Sequence, residues 1–521
     1  MSAGGEQPLR RRFGAVLVGD RPGGDGTIEL RVWAPKVRSL EVDLASGRHE
    51  LADAGDGVYE ALVPARAGDE YRLVVDGEET HPDPCSRAQP HGVRGPSAVV
   101  DTGAFAWTDE GWKGVALDDL VIYELHVGTF TEEGTFDAAI ARLRGLRELG
   151  VTAIELMPVA TFPGERGWGY DGLYIYAPHR AYGGPDGLAR LVDAAHAEGL
   201  AVLLDVVYNH VGPGNEALRA FAPYVTRHET FWGDAIDYGQ EAVREWAIQN
   251  AELWVRDYHI DGLRLDAVHA IFDDSPQHIC AELAARVRDA SPRALVISEV
   301  QVDDWRPIDE WGHDAQWADG MHHNLHALLT GEQEGYYAGY GSVTRLAADI
   351  QGRDLEGRGH DPRRLVVCAQ NHDQVGNRAI GDRLPPALLR IAAAVVLFSQ
   401  CTPLLFMGEE SLEPHPFQFF TDHIDASIAE ATREGRRREF EAFASFSGED
   451  VSDPQSIETF FRSKLSRREP DPLYRELLAL RRELPRDLSV EADEDANVLR
   501  MRRGGVEVVA DFRAKQVHIR R

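Results

Sequence analysis

Residues 261–270 read DGLRLDAVHA, and within this otherwise strand-like apolar run stand two charges, Arg264 and Asp266. Unpaired charge is costly to bury, so a strand that carries charge needs partners for it. Residues two apart in a strand share a face, so both side chains point the same way. Outward from this stretch the chain repeats one rhythm. The apolar runs LVIYELHVG, TAIELMP, AVLLDVVYNH, GLRLDAVH, ALVISEV, DAQWADG, RLVVCAQNHD and TPLLFMGEE alternate with helix-period stretches such as DAAIARLRGLRELG and EAVREWAIQNAELWVRDY. Eight strands interleaved with helices predict an α/β fold, a parallel (β/α)8 TIM barrel.

Before the barrel, TIELRVWAP, SLEVDL, YEALVP and YRLVVDG alternate in polarity between Gly, Pro and Asp clusters, which predicts an N-terminal β-sandwich domain. DPCSRAQPHGVRGPS then reads as a linker or packing loop. After the barrel, NVLRMRRGGVEVVADFRAKQVHIRR returns to strand alternation about a Gly-Gly turn, the mark of a short C-terminal β-domain, abbreviated or truncated. These shifts divide the chain at 1–105, 106–460 and 461–521.

With 86 acidic against 55 basic residues the formal charge is −31. Such a field repels phosphate backbones and anionic lipid, so neither nucleic acid nor membrane is expected as a partner. The basic opening MSAGGEQPLRRRF leads into no long apolar run, and IAAAVVLFSQCTPLLF is interrupted by Ser399, Gln400 and Pro403. A cytoplasmic protein without a leader is expected. Cys85, Cys280, Cys368 and Cys401 lack paired spacing and read as free, buried thiols.

In a barrel of this kind the C-terminal strand ends carry the active site. Sorted that way, Asp205, Asn209 and His210 end the third strand. Arg264, Asp266 and His269 belong to the fourth, Glu299 ends the fifth, and His372 and Asp373 follow the seventh. Any one carboxylate alone reads as a helix cap. Asp266, Glu299 and Asp373 converging on one mouth, with Arg264, His210 and His372 beside them, fit glycoside hydrolysis. One carboxylate attacks the anomeric carbon and one protonated carboxyl releases the leaving oxygen. A guanidinium beside the attacking group favours its ionised form, and Arg264 is placed to supply that to Asp266. The apolar approach ALVIS and the neighbouring carboxylates favour a proton on Glu299. His210 and His372 read as sugar-hydroxyl contacts or as structural histidines. His269 lies at the substrate rim or caps the next helix.

DVVYNH, GLRLDAVH, the strand-terminal Glu299 and NHD together resemble the four ordered regions of the α-amylase family of glycoside hydrolases. The resemblance spans about Ala116 to Glu410. It implies Asp266 as nucleophile, Glu299 as general acid/base and Asp373 as transition-state stabiliser. Arg264, His210, His372, Tyr170 and the adjoining Asp171 would then surround the scissile sugar. HPDPCSRAQPHGVRGPS, DAQWADGMHHNLHALLTGE and PFQFFTDH are similar to the trehalohydrolase branch of that family, which cuts the α-1,4 bond beside a terminal trehalose unit. Maltooligosyl-trehalose and related α-glucans are the partners this implies, with no cofactor and no resident metal. Asp205 and Asn209 match a calcium pair of many α-amylases, but the trehalohydrolase likeness argues against dependence on that ion. Val300 and Gln301 depart from the more polar pair expected after the acid. The alternative within the fold is a glycogen branching enzyme, which passes the intermediate to a sugar hydroxyl. A carbohydrate-binding scaffold on an inactive barrel is the non-enzymatic alternative, and it would lack one of the three carboxylates.

Two further motifs compete. GWGYDG matches GxGxxG through Gly167, Gly169 and Gly172, yet it neither follows a strand directly nor opens a helix, so a dinucleotide site is not expected. Trp168 and Tyr170 read instead as a sugar-stacking platform, with core packing the alternative for Trp168. His322 and His326 have a zinc-ligand spacing, but His323 stands where a metalloprotease needs its glutamate.

Overall fold

The computed structural model describes residues 7–18, 26–230, 232–440, 451–466 and 468–521. The first residues of the opening stretch, which bear on the expectation of no leader, lie outside them. Eight parallel strands close into a barrel in chain order, each paired with its sequence neighbours and the last with the first. They are Ile122–Leu125, Ala153–Leu156, Ala201–Val206, Gly262–Leu265, Leu295–Ser298, Ala315–Trp317, Leu365–Cys368 and Thr402–Phe406. Each lies within one of the eight apolar runs. Their near-continuous apolarity follows from burial on both faces, with helices such as Phe136–Leu149, Gly184–Ala197, Glu241–Asp257 and Pro386–Phe398 outside. The apolar run 391–406 is split between a helix ending at Phe398 and a strand starting at Thr402. Among the described residues no helix is long and apolar enough to cross a membrane.

The N-terminal strands are antiparallel, and Gly47–Gly55 joins their two halves. Its first residues pair with Leu40–Leu44 and its last with Val58–Pro64, enclosing Ile28, Leu30, Val42, Val63 and Leu73. Sequence patterning passes over this strand because Leu51 is its one buried residue. Residues 83–97 act as a packing loop: Arg87 donates to the carbonyls of Phe13 and Ala15, and Trp246 donates to that of Pro84. The C-terminal alternation forms a four-stranded antiparallel sheet from Ser489 to Arg520, following helix Pro472–Glu483.

At the opposite end from the strand C-termini, the segment entering the barrel is clamped by one histidine. His196 Nδ1 meets Asp109 at 2.8 Å and Nε2 meets Asp261 at 2.9 Å, while the Trp112 ring stacks on the imidazole. Two carboxylates on the two ring nitrogens select the imidazolium. Burial opposes that charge, but Asp261 and Asp109 outweigh it and raise the His196 pKa above the ordinary histidine range. The stabilisation is therefore complete below about pH 6.5, the unfolded value, and fades as pH rises through the folded one. His196→Gln is expected to cost about 1.5–3 kcal/mol in urea unfolding at mildly acidic pH, with a smaller difference from wild type in alkaline buffer.

Candidate active site

Arg264 leaves the fourth strand inside the barrel, fully buried. Its Nη1 donates to Asp205 Oδ1 and Oδ2 at 3.0 and 2.8 Å and to Asp266 Oδ1 at 2.9 Å, and its Nη2 donates to Glu299 Oε2 at 2.8 Å. The cation therefore serves three carboxylates from three adjacent strands, beyond the single partner the sequence indicates. Its guanidinium lies 4.2 Å over the Trp317 ring from the sixth strand, a face that attracts cations. Burial works against the charge, but Asp205 and Glu299 hold it firmly in place.

Asp266 is oriented from two sides, since Asn209 Nδ2 donates to its Oδ2 at 2.6 Å and to its carbonyl at 2.8 Å. Immediately beyond, Ala267 takes φ 38° and ψ 53°, a left-handed conformation that costs about 1–2 kcal/mol for a non-glycine residue. That turn aims the Ala267 N–H at Glu299 Oε2, 2.9 Å away. Both donors to Glu299 use Oε2, leaving Oε1 without a hydrogen bond from any described residue.

A second network enters from the first and seventh strands. Glu124 accepts from the His372 backbone at 2.9 Å and faces its Nδ1. His372 Nε2 meets the Tyr170 hydroxyl at 2.7 Å and Asp373 Oδ2 at 3.3 Å, and Tyr170 donates to Asp205 Oδ2 at 2.6 Å. Burial disfavours a charged His372, yet Asp373 and Glu124 prevail and push it up to about 10. Asp373 is itself raised by its depth in the site, with His372 pulling down and Glu299 pushing up. Burial raises Asp205 to about 7 against the pull of Arg264. In the barrel floor Glu155 pairs in register with Glu124, and burial together with Glu124 drives its pKa far upward.

Asp266, Glu299 and Asp373 line one cleft of about 1870 Å³, which also includes Tyr170, Asp171, His210, His269 and His372. His210 faces Asn209 through Nδ1 and the Tyr170 carbonyl through Nε2. His269 reaches the cleft with its Nδ1 buried and unpaired by any described residue. Asp171 faces His423 at 3.7 Å. Gly169 takes φ 102°, where a Cβ would lie 2.1 Å from the Pro158 carbonyl oxygen. Only glycine can set Trp168 and Tyr170 on either side of that turn. Tyr170 stacks on His372, but Trp168 corrects the expectation of an open platform. It is 4% exposed, its ring stacks on Phe417, and its Nε1 donates to the Gln418 carbonyl. Beyond Glu299, Val300 is buried and Gln301 exposed. Asp205 and Asn209 are committed to Arg264 and Asp266, and no cluster of metal-ligating side chains occurs among the described residues. His326 faces Glu332 at 3.0 Å.

Sequence reasoning missed Glu124, Glu155, Trp317 and Asp319. The first two carried the same signal as Arg264, a charge within a buried strand. Asp319, beginning helix Asp319–Thr330 after the sixth strand, also lines the cleft.

A model of the alpha amylase catalytic domain matches residues 101–232. Closed barrel, carboxylate-lined cleft and this match define a glycoside hydrolase of the α-amylase class. A malto-oligosyltrehalose trehalohydrolase of Deinococcus radiodurans is 45% identical, the match covering 91% of this chain and 84% of that one. One from Saccharolobus solfataricus is 42% identical over 89% and 87%. A Salmonella typhimurium crystal structure described as an alpha amylase superposes with a TM-score of 0.85 at 38% identity, covering 95% and 92% of the two chains. The chain belongs to the malto-oligosyltrehalose trehalohydrolase family.

Arg264→Met is expected to leave Asp205, Asp266 and Glu299 crowded without their cation. Urea unfolding should show a loss of about 3–5 kcal/mol at neutral pH.

Proposed function

We propose that the enzyme hydrolyses the α-1,4-glucosidic bond next to the terminal trehalose unit of maltooligosyl-trehalose, with retention, and releases trehalose. The observation that carries the chemistry is the single guanidinium spanning Asp266 and Glu299 at the cleft floor. The substrate is supported by the kinship with named trehalohydrolases over most of the chain. Four buried free cysteines support a reducing, cytoplasmic site of action.

Asp266 attacks the anomeric carbon of the glucosyl residue, forming a C–O bond as the bond to the trehalose oxygen breaks. Glu299 gives its proton to that oxygen, and trehalose leaves. Water then attacks the same carbon, Glu299 takes its proton, and Asp266 is released. The two inversions give retention. Asp373, beside a charged His372, stabilises positive charge developing on the sugar ring. Tyr170, Asp171, His210, His269 and His372 contact the substrate, with Trp168 at the cleft wall beside them.

Glu299→Gln should lower kcat by about 10²–10⁴-fold and abolish the alkaline limb of the pH profile. Product analysis on maltooligosyl-trehalose beside plain maltooligosaccharide of equal length should show free trehalose from the first. New α-1,6 branches in amylose would overturn the reading in favour of a branching transferase. NMR of the fresh reducing end should show the α anomer; the β anomer would refute retention.

A further inference from the structure

Asp373 is held differently from the other two carboxylates. Asp266 and Glu299 both accept from the buried Arg264, whereas Asp373 sits on a short helix of its own, His372–Gly376, just past the seventh strand. Asn371 starts that turn, its side chain accepting from the Gln374 amide at 2.8 Å. Asn377 ends it, since its amide donates to the Asp373 carbonyl at 2.9 Å and its Nδ2 donates to Asp373 Oδ1 at 3.0 Å. The aim of the Asp373 carboxylate therefore depends on where Asn377 lies.

The next residue, Arg378, is gripped from outside the turn. Its Nη1 and Nη2 donate to Glu332 Oε2 and Oε1, each at 3.1 Å, while its Nε donates to Asp382 of its own loop at 3.0 Å. Glu332 follows helix Asp319–Thr330, and His326 of that helix meets the same Glu332 Oε2 through Nε2 at 3.0 Å. The His326 ring stacks on Tyr337 with centroids 4.2 Å apart, and the Tyr337 hydroxyl lies 3.5 Å from Gln374 Oε1. A lone exposed ion pair holds little, but a two-pronged guanidinium–carboxylate fork within a network fixes geometry. His326, and after it Arg378, hold the Glu332 carboxyl down to about 2 against the effect of burial, so the fork is ionised at neutral pH.

We propose that Glu332 is a positioning residue for Asp373: by fastening Arg378 to the helix after the sixth strand, it fixes Asn377 and, through Asn377, the direction of the Asp373 carboxylate. The proposal rests on Asp373 being the group that stabilises the transition state. The middle of the turn is secured separately. Arg436 Nη2 donates to the Gly376 carbonyl at 2.6 Å, and Trp168 packs so closely that a Cβ at Gly376 would lie 2.1 Å from its ring. Loss of the fork therefore frees the exit of the turn, where Asn377 stands, and leaves the fold in place.

The test is a double-mutant cycle on trehalose release from maltooligosyl-trehalose, with Glu332→Gln, Asp373→Asn and the two combined, and thermal melting beside each. Glu332→Gln should lower kcat by about 10–10²-fold, with KM and melting near wild type, because the lost alignment acts at the transition state. In the Asp373→Asn background it should cost nothing further, since no carboxylate is left to aim. Unchanged kcat in folded Glu332→Gln overturns the proposal. So does a raised KM alone, the mark of a direct sugar contact, or a kcat loss that adds in full to that of Asp373→Asn. If Glu332→Gln does not fold, Arg378→Lys keeps the charge, loses the fork and is read in the same cycle. Near-wild-type kcat in Asp373→Asn would show that Asp373 is not the stabiliser, and both readings fall. A large loss there together with full additivity removes the role of Glu332 alone.

Discussion

The structure turns on one buried guanidinium. Arg264 is the shared cation of Asp205, Asp266 and Glu299, and without it three carboxylates from adjacent strands could not occupy one barrel mouth. Barrel closure is what makes the sharing possible. Parallel pairing sets Asp205 level with Arg264 and Arg264 level with Ile297, so the third, fourth and fifth strands present their polar ends within one arginine's reach. The charge is fixed further by the Trp317 face.

The remaining charge is balanced by protonation. His372 carries a proton between Glu124 and Asp373, burial and Glu124 push the Glu155 carboxyl in the floor upward, and burial raises Asp205 and Asp319 toward neutrality. Only part of the acidic ring is therefore anionic at once. A glycosidase needs this inequality, because one carboxyl must attack while another still holds a proton. The opposite face follows a different logic: His196 between Asp109 and Asp261 ties the entering segment to the barrel and takes no part in the cleft.

The barrel was legible because each strand is a compact apolar run whose polar residues cluster at its end. GLRLDAVH, ALVISEV and RLVVCAQNHD place Asp266, Glu299 and Asp373 without any coordinates. Gly47–Gly55 was illegible, since its exposed faces leave a single buried leucine as signal. Trp168 shows the opposite failure. An aromatic beside Tyr170 in a glycine-rich turn looks like a sugar platform, and only the approach of Phe417 from more than two hundred residues away shows that one face is occupied.

The sequence by itself determined the order of elements, the carboxylates at the strand ends and the pairing of Arg264 with Asp266, because periodicity and charge within apolar runs are local properties. Tertiary structure alone decided that Arg264 also holds Asp205 and Glu299, that Glu124 charges His372, and that Asp319 faces the same cleft unpaired. Those relations depend on strand register and on distances across a closed barrel. Proton affinity in such a place is set by neighbours remote in sequence, and no local pattern encodes it.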